Sequence, residues 1–263
     1  MTDDELAIAR AIEALDDSLQ ATIALCATLT PAQWRTPTAC PGWTVHDQVA
    51  HLAGIEALLV GRPRPAHQLP PLPHVNSDID REIEIDVDVR RNVPSAVLLD
   101  ELREVAARHV AQLRAAPPDP ATTLPHLGGV LLRARTALSL RVLDAWVHGE
   151  DIRRATGHEP DDRAPAAEIA TEVFLRGFDA VVERAEPPAG TVVVLEITEP
   201  FPNTRVVAFD AEPTSTPTVT LRMDVATYTS LSAGRIPVTG ARVEIVGDRA
   251  LARAVLAAMA VTP

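Results

Sequence analysis

Lysine is absent from the 263-residue sequence, so all 24 basic side chains are arginines, and they face 36 aspartates and glutamates. The formal net charge is −12. An acidic chain of this kind is not expected to bind nucleic acid or an anionic membrane surface through a basic field. Hydrophobic residues nevertheless make up 46% of the chain and charged residues 23%, a balance that indicates folded globular domains rather than disorder.

Long apolar runs, a leader sequence and a disulfide framework are missing as well. No stretch of about 18 or more apolar residues occurs, so no membrane-spanning helix is expected. The N-terminal segment MTDDELAIAR lacks the basic start and apolar core of a secretory signal. Two cysteines, Cys26 and Cys40, are too few for a disulfide framework. Together these absences predict a cytoplasmic protein.

The first part of the chain, to about residue 180, has the apolar spacing of α-helices. Thr44 followed by Asp47 predicts a helix N-cap, and Gly157 predicts a helix end. Residues 61–75 contain five prolines and predict a stiff loop. Residues 81–91 alternate aliphatic and charged side chains, so both an extended segment and an irregular helix start stay open. Helices are predicted over 3–29, about Val45 to Val60, Pro94 to Ala115, Gly129 to Ala155 and Pro165 to Val182.

The character of the sequence changes at Gly190. The segments TVVVLEIT, TRVVAFDA and TVTLRMD are rich in β-branched residues and predict strands. Helical patterns at 225–233 and 248–260 are interleaved with them. The sequence therefore predicts an α+β protein, with a helical domain over 1–186 and a small α/β domain over 187–263.

The predicted helix at 129–155 has an unusual polar stripe. At about 100° per residue, Arg141, Asp144, His148 and Asp151 fall in the middle of its apolar face. Ionisable groups are costly there unless they are paired or bind a cation. Asp144 and His148 are four residues apart, a spacing at which two side chains can share one metal ion. Such pairs are also common on helix surfaces, and two ligands alone do not make a site.

A third candidate ligand, His51, lies on the second predicted helix beside apolar residues. Taken alone, such a histidine is more often a hydrogen-bonded core residue. Its context, CPGWTVHDQVAHLAGIE, combined with DAWVHGEDIRRATG from Asp144 to Gly157, resembles the mycothiol-dependent maleylpyruvate isomerase family. That family belongs to the DinB-like group of four-helix metalloproteins. The segment TYTSLSAGRIPVTGARVEIVGDRALARAVLAAM is similar to the family's sterol-carrier-like C-terminal domain.

The resemblance implies a DinB-like four-helix bundle that binds a divalent metal through His51, Asp144 and His148, followed by a small sterol-carrier-like domain. The family usually has a glutamate where this chain has Asp144. Three protein ligands would leave a coordination position open, as in catalytic sites. Zinc is the expected metal, although two nitrogens and one oxygen also suit nickel, iron or manganese.

The resemblance also implies mycothiol, the low-molecular-weight thiol of actinobacteria, as cofactor or co-substrate. A metal-bound thiolate could add to the cis double bond of maleylpyruvate and leave after rotation, or it could be transferred to a small electrophile. The expected enzyme is thus an isomerase or an S-transferase. Two alternatives stay open: a non-catalytic small-ligand-binding or regulatory protein of the same fold, and a hydrolase that uses metal-bound water.

Three further residues are candidates for catalytic roles. Asp151 could orient a metal ligand or form a helix-end salt bridge to Arg153 or Arg154. Arg141 could bind a substrate carboxylate or pair with Asp144 in a metal-free protein. By the family pattern, Arg235 in the Gly234-Arg235 turn could bind a carboxylate, and its alternative is a solvated loop position.

Overall fold

The computed structural model describes residues 2–126 and 129–262. The chain divides by packing into two units, Met1–Ala166 and Ala167–Pro263. The domain boundary expected at 186–187 lies about twenty residues after this division. The two helices in between, α6 (Pro165–Arg176) and α7 (Phe178–Arg184), therefore belong almost wholly to the second unit. No helix in the described part of the chain is long and apolar enough to cross a bilayer.

Four helices form the bundle of the first unit: α1 (Asp3–Cys26), α2 (Val45–Leu59), α4 (Ser95–Ala115) and α5 (Ala134–Thr156). Helices α1 and α2 each pack against both α4 and α5, and α3 (Asp78–Asp88) packs against α2. The predicted caps are confirmed. Thr44 and Asp47 form a reciprocal capping box at the start of α2, and Gly157 has a φ of 74° just after α5.

Residues 81–88 are helical and belong to α3, while 89–91 form a turn, which settles the two open interpretations. Ser77 caps α3 with Asp80 as its partner, and the acidic residues that alternate along the segment are paired with cations. Asp86 accepts a hydrogen bond from Arg64 of the proline-rich loop at 3.1 Å, and Glu84 accepts one from Arg91, just beyond the end of the helix. Because these carboxylates are neutralised, they can be buried on a helix whose sequence pattern resembles a strand.

Two predicted helices are shorter than expected. The helix expected from Gly129 begins only at Ala134, since β2 (Leu131–Arg133) pairs with β1 (Thr123–Pro125) in an antiparallel hairpin. The helix expected over 165–182 is broken at Gly177, a poor helix former, into α6 and α7. Periodicity does not reveal either break, since apolar residues continue at helical spacing through both.

The second unit contains a four-stranded sheet in the order β4-β3-β5-β6. Its strands are β3 (Thr191–Ile197), β4 (Asn203–Phe209), β5 (Val219–Met223) and β6 (Glu244–Gly247). Strand β3 pairs antiparallel with β4 and parallel with β5, and β6 pairs antiparallel with β5. Helices α8 (Val225–Ser232) and α9 (Arg249–Ala257) follow the expected positions, and α9 packs on β5. Strand β6 has no counterpart among the predicted elements.

Gly54 allows α2 and α3 to approach closely. A Cβ atom at Gly54 would lie 2.6 Å from the Cβ of Asp86, whereas one at Gly149 in α5 would meet only the rotatable Thr22 hydroxyl, at 2.8 Å. We therefore expect Gly54→Ala to lower the free energy of unfolding by about 1–3 kcal/mol through overpacking, despite alanine's better helix propensity. Gly149→Ala is the matched control and should cost less. Urea unfolding measures both, and an equal or smaller loss for Gly54→Ala contradicts the packing described.

Candidate metal centre

Three side chains from α2 and α5 converge inside the bundle. The Nε2 atom of His51 lies 3.2 Å from Oδ1 of Asp144, and the Nε2 atom of His148 lies 3.4 Å from the same oxygen. One potential ligand atom from each residue lies within 4.8 Å of the others. The histidines are buried, while the Asp144 side chain is 32% exposed. The three-ligand cluster therefore opens to solvent on the side of its carboxylate.

Arg141 lies beside the cluster and connects it to two further buried residues. Its NH1 donates to Oδ2 of Asp144, and its Nε donates to Oε1 of Glu56 at 2.8 Å. Glu56 is fully buried, and its Oε2 accepts from Nδ1 of His109 at 2.5 Å. Of the two earlier alternatives for Arg141, the pairing with Asp144 is therefore present in the structure.

The Trp43 ring packs on both cluster histidines. Its centroid lies 5.1 Å from that of His51 and 5.7 Å from that of His148. Trp43 is itself oriented by Glu84, which accepts from its Nε1 at 2.9 Å. Trp43 thus covers one side of the cluster.

Asp151 lies on the side of His148 away from Asp144. Its Oδ2 is 3.5 Å from Nδ1 of His148, and Gln48 donates to the same oxygen at 3.4 Å. Asp151 also lies 3.8 Å from Arg154. Both roles considered for Asp151, contact with a cluster histidine and a helix salt bridge, are geometrically present.

The charges in the cluster depend on one another. Partial burial acts to raise the pKa of Asp144, but His51, Arg141 and His148 outweigh it and hold that pKa well below its usual range. Burial lowers the pKa of His51, against the pull of Asp144. Burial also acts to lower the pKa of His148, but Asp144 and Asp151 reverse the direction and raise it. Asp144 is therefore an anion near neutral pH.

Two of the three ligand–ligand distances fit a tetrahedral metal ion. Ligand atoms about 2.05 Å from such an ion lie about 3.3 Å apart, close to the 3.2 and 3.4 Å between the imidazole nitrogens and Oδ1 of Asp144. Buried polar atoms normally have hydrogen-bond partners, yet some in and around the cluster have none. Among the described residues these atoms are His51 Nδ1, His148 Nδ1, Arg141 NH2 and Gln48 Oε1. Unpaired polar atoms concentrated in one place are typical of a functional site.

The remaining predicted residue, Arg235, belongs to the second unit. It lies in the turn after α8, where its NH1 donates to the carbonyl of Ala233 at 2.7 Å. The other histidine of α2, His46, does not join the cluster, and its Nε2 lies 2.9 Å from the carbonyl of Val93. Sequence reasoning missed Glu56 and His109. Glu56 gave a signal, since it is the one charged residue in the apolar run from Leu52 to Val60.

Comparison with known proteins agrees with the motifs. The profile described as the mycothiol maleylpyruvate isomerase N-terminal domain matches residues 15–153, more than half of the chain and the segment that carries all three ligands. The chain belongs to the mycothiol maleylpyruvate isomerase family. No curated protein matches the sequence.

Two solved structures share the fold of this chain over nearly its whole length. The crystal structure of the mycothiol-dependent maleylpyruvate isomerase has a TM-score of 0.63 and 16% sequence identity, with 93% of this chain and 96% of that chain covered. A histidine-to-alanine mutant of the same isomerase has a TM-score of 0.60 with the same identity and coverage. The α+β fold class is thereby confirmed.

The cluster makes a direct prediction about metal content. We expect the purified protein to bind about one equivalent of divalent metal, and His51→Ala and His148→Ala each to lose it, because two ligands remain in each variant. His67→Ala is the matched control, since this histidine pairs with Asp88 on α3 at 2.6 Å. Elemental analysis after dialysis gives the stoichiometry. Full metal retention in both cluster variants would refute the ligand assignment.

Proposed function

We propose that this chain is a metal-dependent enzyme that uses mycothiol to isomerise an unsaturated dicarboxylate of the maleylpyruvate type. The observation that carries the proposal is the convergence of two buried imidazoles on one partly exposed carboxylate. A purely structural metal site closes its coordination sphere with protein ligands, whereas a catalytic site leaves a position open. Family membership supplies the thiol and the substrate class.

Zinc is the proposed metal, with His51, Asp144 and His148 as its ligands. When bound, the ion would supply Lewis acidity and lower the pKa of a coordinated thiol to favour the thiolate. The solvent-exposed edge of Asp144 is where a thiol and its substrate would approach. On the buried side, Trp43 packs over both imidazoles and excludes water from them.

Asp151 would orient His148 for this role. A ligating histidine usually donates its second ring nitrogen to a carboxylate or carbonyl, which fixes the ring and its tautomer. The Asp151 side chain is buried, and its Oδ2 is the carboxylate oxygen 3.5 Å from Nδ1 of His148. A modest shortening of this contact on metal binding would complete that bond. Arg235 stays the proposed carboxylate-binding arginine.

Replacing Asp151 tests its orienting role. Asp151→Asn keeps the shape of the side chain but removes the charge that favours Nδ1–H on His148, so we expect about 10–100-fold weaker zinc binding. Asp161→Asn removes a more exposed carboxylate, 3.7 Å from Arg153, and serves as the control. Chelator competition measures both dissociation constants. Equal affinities for the two variants would leave Asp151 with only its salt bridge to Arg154.

The reaction itself is tested with maleylpyruvate, with and without mycothiol. We expect cis-to-trans conversion that requires both zinc and thiol, and that falls at least about 100-fold in His148→Ala because the metal centre is disturbed. Proton NMR quantifies the two isomers. His67→Ala should retain wild-type turnover.

Other outcomes of this assay identify the competing functions. Turnover without any thiol would contradict the thiol-dependent mechanism and favour hydrolysis by metal-bound water. A product whose mass includes mycothiol would identify an S-transferase. No conversion of maleylpyruvate or of a generic electrophile would favour the small-ligand-binding protein.

A further inference from the structure

Glu56 is an unusual residue for the interior of a helical bundle. Its side chain is fully buried on α2, and both of its carboxylate oxygens accept hydrogen bonds, one from Arg141 on α5 and one from His109 on α4. A buried ion network is often no more stable than well-packed apolar side chains of similar volume. Stability alone therefore gives a weak reason for this carboxylate to lie beside the cluster.

The hydrogen bonds of Arg141 indicate that Glu56 orients its guanidinium. The Nε atom bonds Glu56 and NH1 bonds only Oδ2 of Asp144, while NH2 is buried without a hydrogen-bond partner. The strongest arginine–carboxylate pairing uses two parallel hydrogen bonds that engage both carboxylate oxygens. Arg141 does not form that pair with Asp144, and the unpaired NH2 shows that a donor is available for it.

We infer that Glu56 is a positioning residue of the metal centre, which holds Arg141 so that the guanidinium occupies Oδ2 of Asp144 and leaves Oδ1 for the metal. This inference rests on the proposed metal centre. The Nε2 atom of His51 lies 3.2 Å from Oδ1 and 3.3 Å from Oδ2, and the Nε2 atom of His148 lies 3.4 Å from Oδ1, so Oδ1 is the oxygen that both imidazoles share. His109 fixes Glu56 in turn, at 2.5 Å from α4.

Charge supports the same role. Among the described residues Arg141 pairs with two carboxylates, Glu56 and Asp144. Without Glu56, Asp144 would have to neutralise the buried guanidinium, and a metal ion would compete with an arginine for its one anionic protein ligand. With Glu56 present, the arginine has its own counter-ion, and Asp144 keeps a negative charge available to the metal. The network would therefore keep the Arg141 guanidinium and the metal ion on different oxygens of Asp144.

The inference is tested by the zinc dissociation constant of the full-length protein, measured by chelator competition. In Glu56→Gln the guanidinium is released to bind both oxygens of Asp144, so we expect zinc binding about 10–100-fold weaker than in the wild type. In the double variant Glu56→Gln/Arg141→Met the competing cation is gone, and most of the lost affinity should return. A merely structural role for Glu56 would not predict this recovery.

Glu101→Gln is the matched control. It removes the carboxylate that accepts from buried Arg90, at 2.8 Å, between α4 and the segment after α3, and should leave zinc affinity unchanged.

An affinity of Glu56→Gln within about twofold of wild type, or a double variant as weak as the single one, overturns the inference. If the single variant does not fold, the double variant decides alone: near-wild-type affinity supports the inference, and weak binding overturns it. A wild type without zinc affinity would overturn the proposed metal centre and this inference together.

Discussion

The carboxylate of Asp144 is the group on which the interior of the bundle depends. It accepts from a guanidinium and lies within about hydrogen-bond distance of two imidazoles, all on helices that otherwise bury apolar surface. An anion in this position requires compensation, and the compensating residues come from two helices. His51 comes from α2, while Arg141 and His148 come from α5, one turn before and one turn after Asp144. The bundle brings these groups together, and their charges in turn make the polar interior tolerable.

A second layer of residues, behind the cluster, determines where Arg141, Trp43 and His148 can lie. Glu56 and His109 hold Arg141, Glu84 holds Trp43, and Gln48 and Asp151 contact one another behind His148. Glu84 also links the layer to α3 and to the proline-rich loop, through His74. Most of these contacts join residues more than forty positions apart. Precise placement of the three ligands is thus a property of the whole helical unit rather than of the two motifs that contain them.

Much of this organisation can be predicted from the sequence, for identifiable reasons. Helices α1, α2 and α4 have continuous apolar periodicity and clear ends at prolines or caps, so their bounds are close to those expected. The three candidate metal ligands follow from a costly polar stripe and a family motif, and the structure brings them together. Helix α3 was ambiguous because the burial of its carboxylates depends on arginines outside the helix, Arg64 in the proline-rich loop and Arg91 beyond its C-terminus. Glu56 was missed because its partners, Arg141 and His109, lie 85 and 53 residues away.

X-ray absorption at the zinc K-edge of the zinc-loaded protein tests the central claim most directly. We expect two imidazole nitrogens and carboxylate or water oxygen at about 2.0–2.1 Å, with a sulfur neighbour at about 2.3 Å only after mycothiol is added. The imidazole signal should be halved in His51→Ala if any zinc remains bound. A shell made only of oxygen, or a sulfur neighbour from the protein before any thiol is present, would contradict a centre built on His51, Asp144 and His148.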